Sequence, residues 1–277
     1  MRAMVSILVA AIALLTAMIY LQMTPLCQAT EPAMVAPAST ASRVPVVVEL
    51  FTSEGCSSCP PADRLLQELD AEQPVSGTEI LVLSEHVDSW DRLGWKDPFS
   101  SPQFTARQNA YARAFGSDSV YTPQMVVDGR IEFVGSDRSR ARQAIAAATR
   151  QPRTPLELKR APVEKDSGLG LQIHAGALLS GDKEADVFLA VTESKLVSDI
   201  LRGENSGRTI AHTGVVRRLE IVGRAVSGAG ESFRGEARIL LDPGWRRENL
   251  RAVVFVQERR SRRILGAAAV SLAAGMQ

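Results

Sequence analysis

The run Val46-Val47-Val48-Glu49-Leu50-Phe51 is apolar and β-branched, and it leads through Thr52-Ser53-Glu54-Gly55 into Cys56-Ser57-Ser58-Cys59-Pro60-Pro61. A short, nearly continuous apolar run reads as a strand buried on both faces of a sheet. Past the cysteines, Ala62, Leu65, Leu66 and Leu69 recur at i, i+3, i+4 and i+7, the spacing of an amphipathic helix. Prolines are accepted in a first helical turn, where the amide positions lack intrahelical partners. The spacing therefore predicts a strand, a tight break, and a CxxC pair at the start of a helix.

That position carries chemistry. A thiolate at a helix N-terminus meets unpaired N–H groups and the positive end of the dipole. Cys56 is expected to be the attacking thiol. Cys59, about one turn deeper, is expected to resolve a mixed disulfide by attacking the Cys56 sulfur. Two other readings of the pair stay open: an inert tight disulfide, and half of a four-ligand zinc site. The chain has three cysteines and three histidines and no second CxxC, which weighs against zinc and against a disulfide-stapled scaffold.

The chain is otherwise of ordinary globular composition, with 32 Lys and Arg against 31 Asp and Glu. This near balance excludes a bulk field for nucleic acid. After Met1-Arg2, an uncharged, mostly apolar run from Ala3 to Leu21 is followed by polar and small residues ending in Cys27-Gln28-Ala29. Residues 1–29 read as a signal peptide, or as an uncleaved N-terminal anchor that would be the protein's one membrane attachment. Either directs the remainder to the periplasm or outside the cell. Residues 30–43, rich in Ala, Pro, Ser and Thr, read as a flexible linker.

The stretch VVVELFTSEGCSSCPPAD, residues 46–63, resembles the thioredoxin superfamily. Together with HVDSWDRLGWKDPFSSPQFTARQ (residues 86–108) and VYTPQMVVDGR (residues 120–130), it is similar to a family of exported bacterial proteins known as domain of unknown function 1223. The superfamily resemblance implies a thiol-disulfide site, with a cis-proline at Thr122-Pro123 beside the CxxC and Thr122 presenting backbone groups to an extended substrate. It also implies a buried carboxylate on the preceding strand that takes a proton from the inner cysteine. Glu49 is the nearest match, one residue further upstream than the pattern, so period-2 alternation could turn it to the other face.

The run from Glu79 to Ser84 reads as a second strand. His86 and Asp88 follow it, where site residues of parallel sheets collect, and Trp90 lies on the next loop as a site-lining candidate; each has a packing or orienting alternative. Asp128-Gly129 predicts a tight hairpin, and Ser136-Asp137 a helix start. Beyond residue 150 helical patterns fade and short β-like runs appear. The expected fold is an α/β thioredoxin-like domain over residues 44–150, a central sheet flanked by helices, followed by an all-β sandwich-like domain over residues 151–277. The polar run from Gly203 to His212 reads as a solvated turn.

The expected function is thiol-disulfide exchange on exported proteins bearing thiols or disulfides, in concert with a redox partner and with no cofactor required. The alternatives are a Cu(I)-binding or metallochaperone module, in which Cys56 and Cys59 are thiolate ligands and His86 adds a third, and a redox-inactive binding module.

Overall fold

The computed structural model describes residues 43–161, 168–179, 184–228 and 230–273; the segments read as signal peptide and linker lie outside these, apart from Arg43. The N-terminal half runs β1 (Val44–Thr52), α1 (Pro60–Glu72), β2 (Thr78–His86), a short 3-10 helix (Asp88–Leu93), α2 (Pro102–Phe115), β3 (Gln124–Val127), β4 (Ile131–Val134) and α3 (Arg138–Thr149). β1 and β2 pair in parallel, and β3 and β4 pair antiparallel along the other edge of β1. α1 and α3 cover one face through Leu65, Leu66, Leu69 and Ile145 against Val48, Leu50, Ile80 and Val82. α2 covers the opposite face through Phe104 and Tyr111 against Val47, Phe51 and Leu81.

The C-terminal half overturns the expected pairing of a thioredoxin-like α/β domain with a separate β-sandwich. It contributes β5 (Leu156–Ala161), β6 (Leu169–Ala175), β7 (Glu184–Glu193), β8 (Leu196–Asp199), β9 (Thr209–His212), β10 (Val215–Val226), β11 (Phe233–Ile239), β12 (Leu250–Glu258) and β13 (Ile264–Ser271). Four of these strands extend the first sheet, giving one mixed eight-stranded sheet in the order β13-β12-β7-β10-β2-β1-β3-β4. β5, β6 and β11 form a second, three-stranded sheet, and β8 and β9 form a hairpin.

Burial explains the difference. A sandwich strand alternates between core and solvent, whereas β7 is buried at every position after Glu184 and β12 at every position except Arg251. Such strands need cover on both faces. On one face Leu171 and Ile173 of the small sheet pack on Val187, Leu189, Val254 and Val256. On the other, Phe188, Phe255 and Val253 join the same core as Phe51, Phe104 and Tyr111.

A buried ionic group crosses that second core. The Arg107 guanidinium on α2 lies 2.6 Å from Glu49 Oε1 and 3.3 Å from Glu85 Oε1, and it donates to Gln257 Oε1 at 3.0 Å. Its face rests on the rings of Tyr111, Phe188 and Phe255 at 5.1–5.4 Å. Tyr111 in turn donates its hydroxyl to Glu49.

Candidate functional site

β1 delivers the chain to the site by ending at Thr52, and the turn Ser53-Glu54-Gly55 reverses it toward α1. Cys59 is the residue immediately before α1, and Pro60 occupies the helix's first position. Cys56 and Cys59 are joined by a disulfide. Thr122 Oγ1 and Ser58 Oγ each lie 3.4 Å from the Cys56 sulfur. Ser58 also donates to the Thr122 carbonyl at 3.4 Å. The Thr122-Pro123 bond is cis. Trp90 donates its indole N–H to Thr122 Oγ1 at 2.9 Å, so Trp90 holds the hydroxyl that faces the sulfur.

The remaining expected residues disperse. Glu49 lies on the α2 face of the sheet, engaged with Arg107 and Tyr111, while Thr52, of opposite parity on the same strand, faces α1 and donates to Asp63 Oδ1 at 2.9 Å. Strand alternation therefore places Glu49 across the sheet from the helix that carries the cysteines, and the role of proton acceptor does not fall to it. Asp88 is tied to Thr105 on α2, accepting its hydroxyl proton at 2.5 Å. His86 donates from Nδ1 to Asp97 Oδ2 at 2.7 Å and makes no hydrogen bond to either cysteine. Among the described residues no group of three His, Cys, Asp or Glu side chains is arranged to hold a metal.

The largest departure is the segment read as a solvated turn. Asn205 is fully buried, and its Nδ2 donates to the carbonyls of Glu54 and Cys56 at 2.8 and 2.9 Å. The neighbouring Glu204 carboxylate accepts from the Ser57 N–H at 3.2 Å, and the Ser57 side chain, followed by that N–H, holds its pKa below the ordinary value. Residues 203–206 thus strap the CxxC turn from a point about 150 residues away in sequence, and both cysteines have 0% exposure. The Cβ of Trp95 would lie 3.1 Å from a Cβ added at Gly203, whose φ is +76°. Gly203 is needed there for both its conformation and its size.

A buried polar cluster surrounds Glu54; His86 was legible in the sequence as a candidate, while Glu54 and His212 were not. His212, on β9, pairs through Nε2 with Glu54 Oε1 at 3.0 Å, and Trp95 donates to Glu54 Oε2 at 2.8 Å. The His86 and His212 rings lie 5.1 Å apart, edge to face, and Phe99 packs on both. Burial disfavours charge on His86, but the Asp97 carboxylate outweighs it and raises the pKa of the ring. Burial also opposes charge on Asp97, and His86 with two backbone N–H donors more than compensates, lowering its pKa.

The two signs define a window. The stability contributed by His86 is present below its ordinary value and is lost as pH rises through its raised folded value; that of Asp97 is present above its ordinary value and is lost as pH falls through its lowered one. The pair therefore stabilises most between about pH 4 and about pH 6.5. Asp97→Asn should flatten the fall in urea midpoint as pH rises above about 6.5, the ordinary imidazole value. An unchanged slope would show that other groups set it.

These features define a mixed β-sheet protein with a strapped CxxC disulfide at a helix N-terminus. The chain belongs to the family described as "Protein of unknown function (DUF1223)", which matches residues 47–257. It is similar to the crystal structure of a protein from Agrobacterium tumefaciens, with 27% identity, a TM-score of 0.65, and coverage of 85% of this chain and 97% of that one. The fold also resembles HBP35 of Porphyromonas gingivalis, at 15% identity and a TM-score of 0.56, covering 85% of this chain and 79% of that one. No curated protein matches the chain. The disulfide is consistent with an oxidising compartment, and no helix among the described residues is long and apolar enough to cross a membrane.

Proposed function

We propose that this protein carries out thiol-disulfide exchange on exported proteins through Cys56 and Cys59. The observation that carries this reading is the Cys56–Cys59 disulfide at the start of α1, with Thr122 Oγ1 against the Cys56 sulfur. In the reducing direction, Cys56 thiolate attacks a partner disulfide and releases one partner thiolate; Cys59 then attacks Cys56, closing the ring and releasing the second. The oxidising direction is the reverse. The helix N-terminus favours the thiolate form of the outer cysteine, and Thr122 can donate to its sulfur. The periplasm or the extracellular space is the compartment that suits such an activity.

Burial sets a condition on this chemistry: both sulfurs are without exposure, so either reacts only after the chain around the CxxC turn moves. The test is the dithiol-disulfide equilibrium of the purified protein in glutathione buffers of stepped potential, read by thiol trapping. A midpoint between about −270 and about −120 mV, the range of exchange proteins, is the expected result. A bond that stays oxidised below about −300 mV, as structural disulfides do, would overturn the proposal.

A further inference from the structure

α1 places a carboxyl group one turn beyond the inner cysteine. Asp63 follows Cys59 by four residues, so the two side chains share a face of the helix, and Asp63 N–H donates to the Cys59 carbonyl at 3.1 Å. The face is the one turned to the sheet, since both residues are buried along with Ala62 and Leu66. Thr52 and His86 are register partners on the parallel strands β1 and β2, and both point to this side. Thr52 donates to Asp63 Oδ1 at 2.9 Å.

Among the described residues, β2 and β9 bring titratable groups toward Asp63. β2 supplies His86, with Asp97 behind it; β9 supplies His212, with Glu54 behind it. Both imidazoles act on the Asp63 carboxyl electrostatically, as does Asp97 with the opposite sign. Each imidazole has a second ring nitrogen, His86 Nε2 and His212 Nδ1, that is buried and without a hydrogen-bond partner. On its outer side Asp63 lines a cleft of 550 Å³ between α1 and β9, with Arg64 and Arg208 also on its wall. The carboxyl is thus in the core at one end and next to an opening at the other.

Resting on the exchange reading above, we propose that Asp63, held by Thr52, is the proton acceptor for Cys59 in the resolving step. The Cys59 S–H proton passes to the Asp63 carboxylate. The Cys59 sulfur then attacks Cys56, the Cys56–Cys59 bond forms, the bond from Cys56 to the partner sulfur breaks, and the partner leaves as thiolate. Asp63 subsequently loses the proton toward the cleft. Burial raises the Asp63 pKa and the two imidazoles oppose that rise, which moves the group toward the pH at which a carboxyl can both take and return a proton.

Dithiobis(nitrobenzoate) separates the steps in the reduced full-length protein carrying Cys27→Ser, which removes the third thiol. Attack by Cys56 releases the first nitrothiobenzoate, and resolution by Cys59 releases the second. Asp63→Asn should slow the second phase about 100-fold at pH 7, in the range typical for a lost general base, and leave the first within about twofold. Thr52→Val removes a donor that favours the charged carboxyl, so it should move the pH midpoint of the second phase upward. Two phases in the parent protein with neither variant altering the second would overturn the role of Asp63 alone. Absence of a second phase in the parent would overturn the exchange reading and this assignment with it. If Asp63→Asn loses the near-UV dichroism of the folded chain, the Thr52→Val midpoint decides the question.

Discussion

Arg107→Leu should lower the unfolding free energy by about 3–5 kcal/mol at pH 7, the usual cost of removing one member of a buried ion pair. The substitution removes a cation that faces both Glu49 and Glu85 at short range, and it also leaves the Tyr111, Phe188 and Phe255 rings without the guanidinium they enclose. The loss should shrink on acidification. Burial already drives the Glu85 pKa well up, Arg107 holds it back and Glu49 pushes it further; without Arg107 the folded-state value rises again. A carboxyl with a raised folded pKa stabilises the fold more as pH falls, so the variant should regain stability between about pH 7 and about pH 5. Urea midpoints across that range check both statements, and a loss below about 1 kcal/mol, the level of a surface pair, would show that the cluster does not tie β1, α2 and β12 together.

Asn205→Ala should speed reduction of the Cys56–Cys59 disulfide by a phosphine reductant about 10- to 100-fold. Its Nδ2 makes two hydrogen bonds to buried carbonyls, each worth about 0.5–1.5 kcal/mol net, and each 1.4 kcal/mol is a factor of about ten in an opening equilibrium. If the variant is reduced within about twofold of the parent rate, less than the loss of even one weak hydrogen bond would give, the strap is not the barrier to the sulfurs. The parent and variant rates compared under the same reductant answer this irrespective of the partner protein.

Both results concern features outside the CxxC motif, and they mark where reading the chain stops. The local elements were legible. Val46–Phe51 and the apolar residues from Ala62 to Leu69 carry their own periodicity, Pro60 and Pro61 suit only a first turn, and Pro123 suits only the start of β3. Asp128 and Gly129 both adopt positive φ, as a tight two-residue hairpin requires. The contacts of Trp90 with Thr122 and of Thr122 with Cys56 join loops that the motif order already brought into sequence register with the site.

What the sequence by itself determined is therefore the elements of the N-terminal half and the location of the CxxC pair, because hydrophobic period, turn residues and helix starts are local properties. Tertiary structure alone decided the rest. β7 and β12 are apolar on both faces, a pattern that names a buried strand and not its neighbours; the β10–β2 pairing at Val215 and Ser84 makes them part of the first sheet. The side of β1 to which Glu49 points follows from which helix covers which face, and that assigns it to Arg107 while Thr52 meets Asp63. Asn205 and His212 reach Cys56 and Glu54 across about 150 residues. A polar residue in a loop carries no local sign of the buried carbonyl or carboxylate it will meet, because that partner is set by long-range packing.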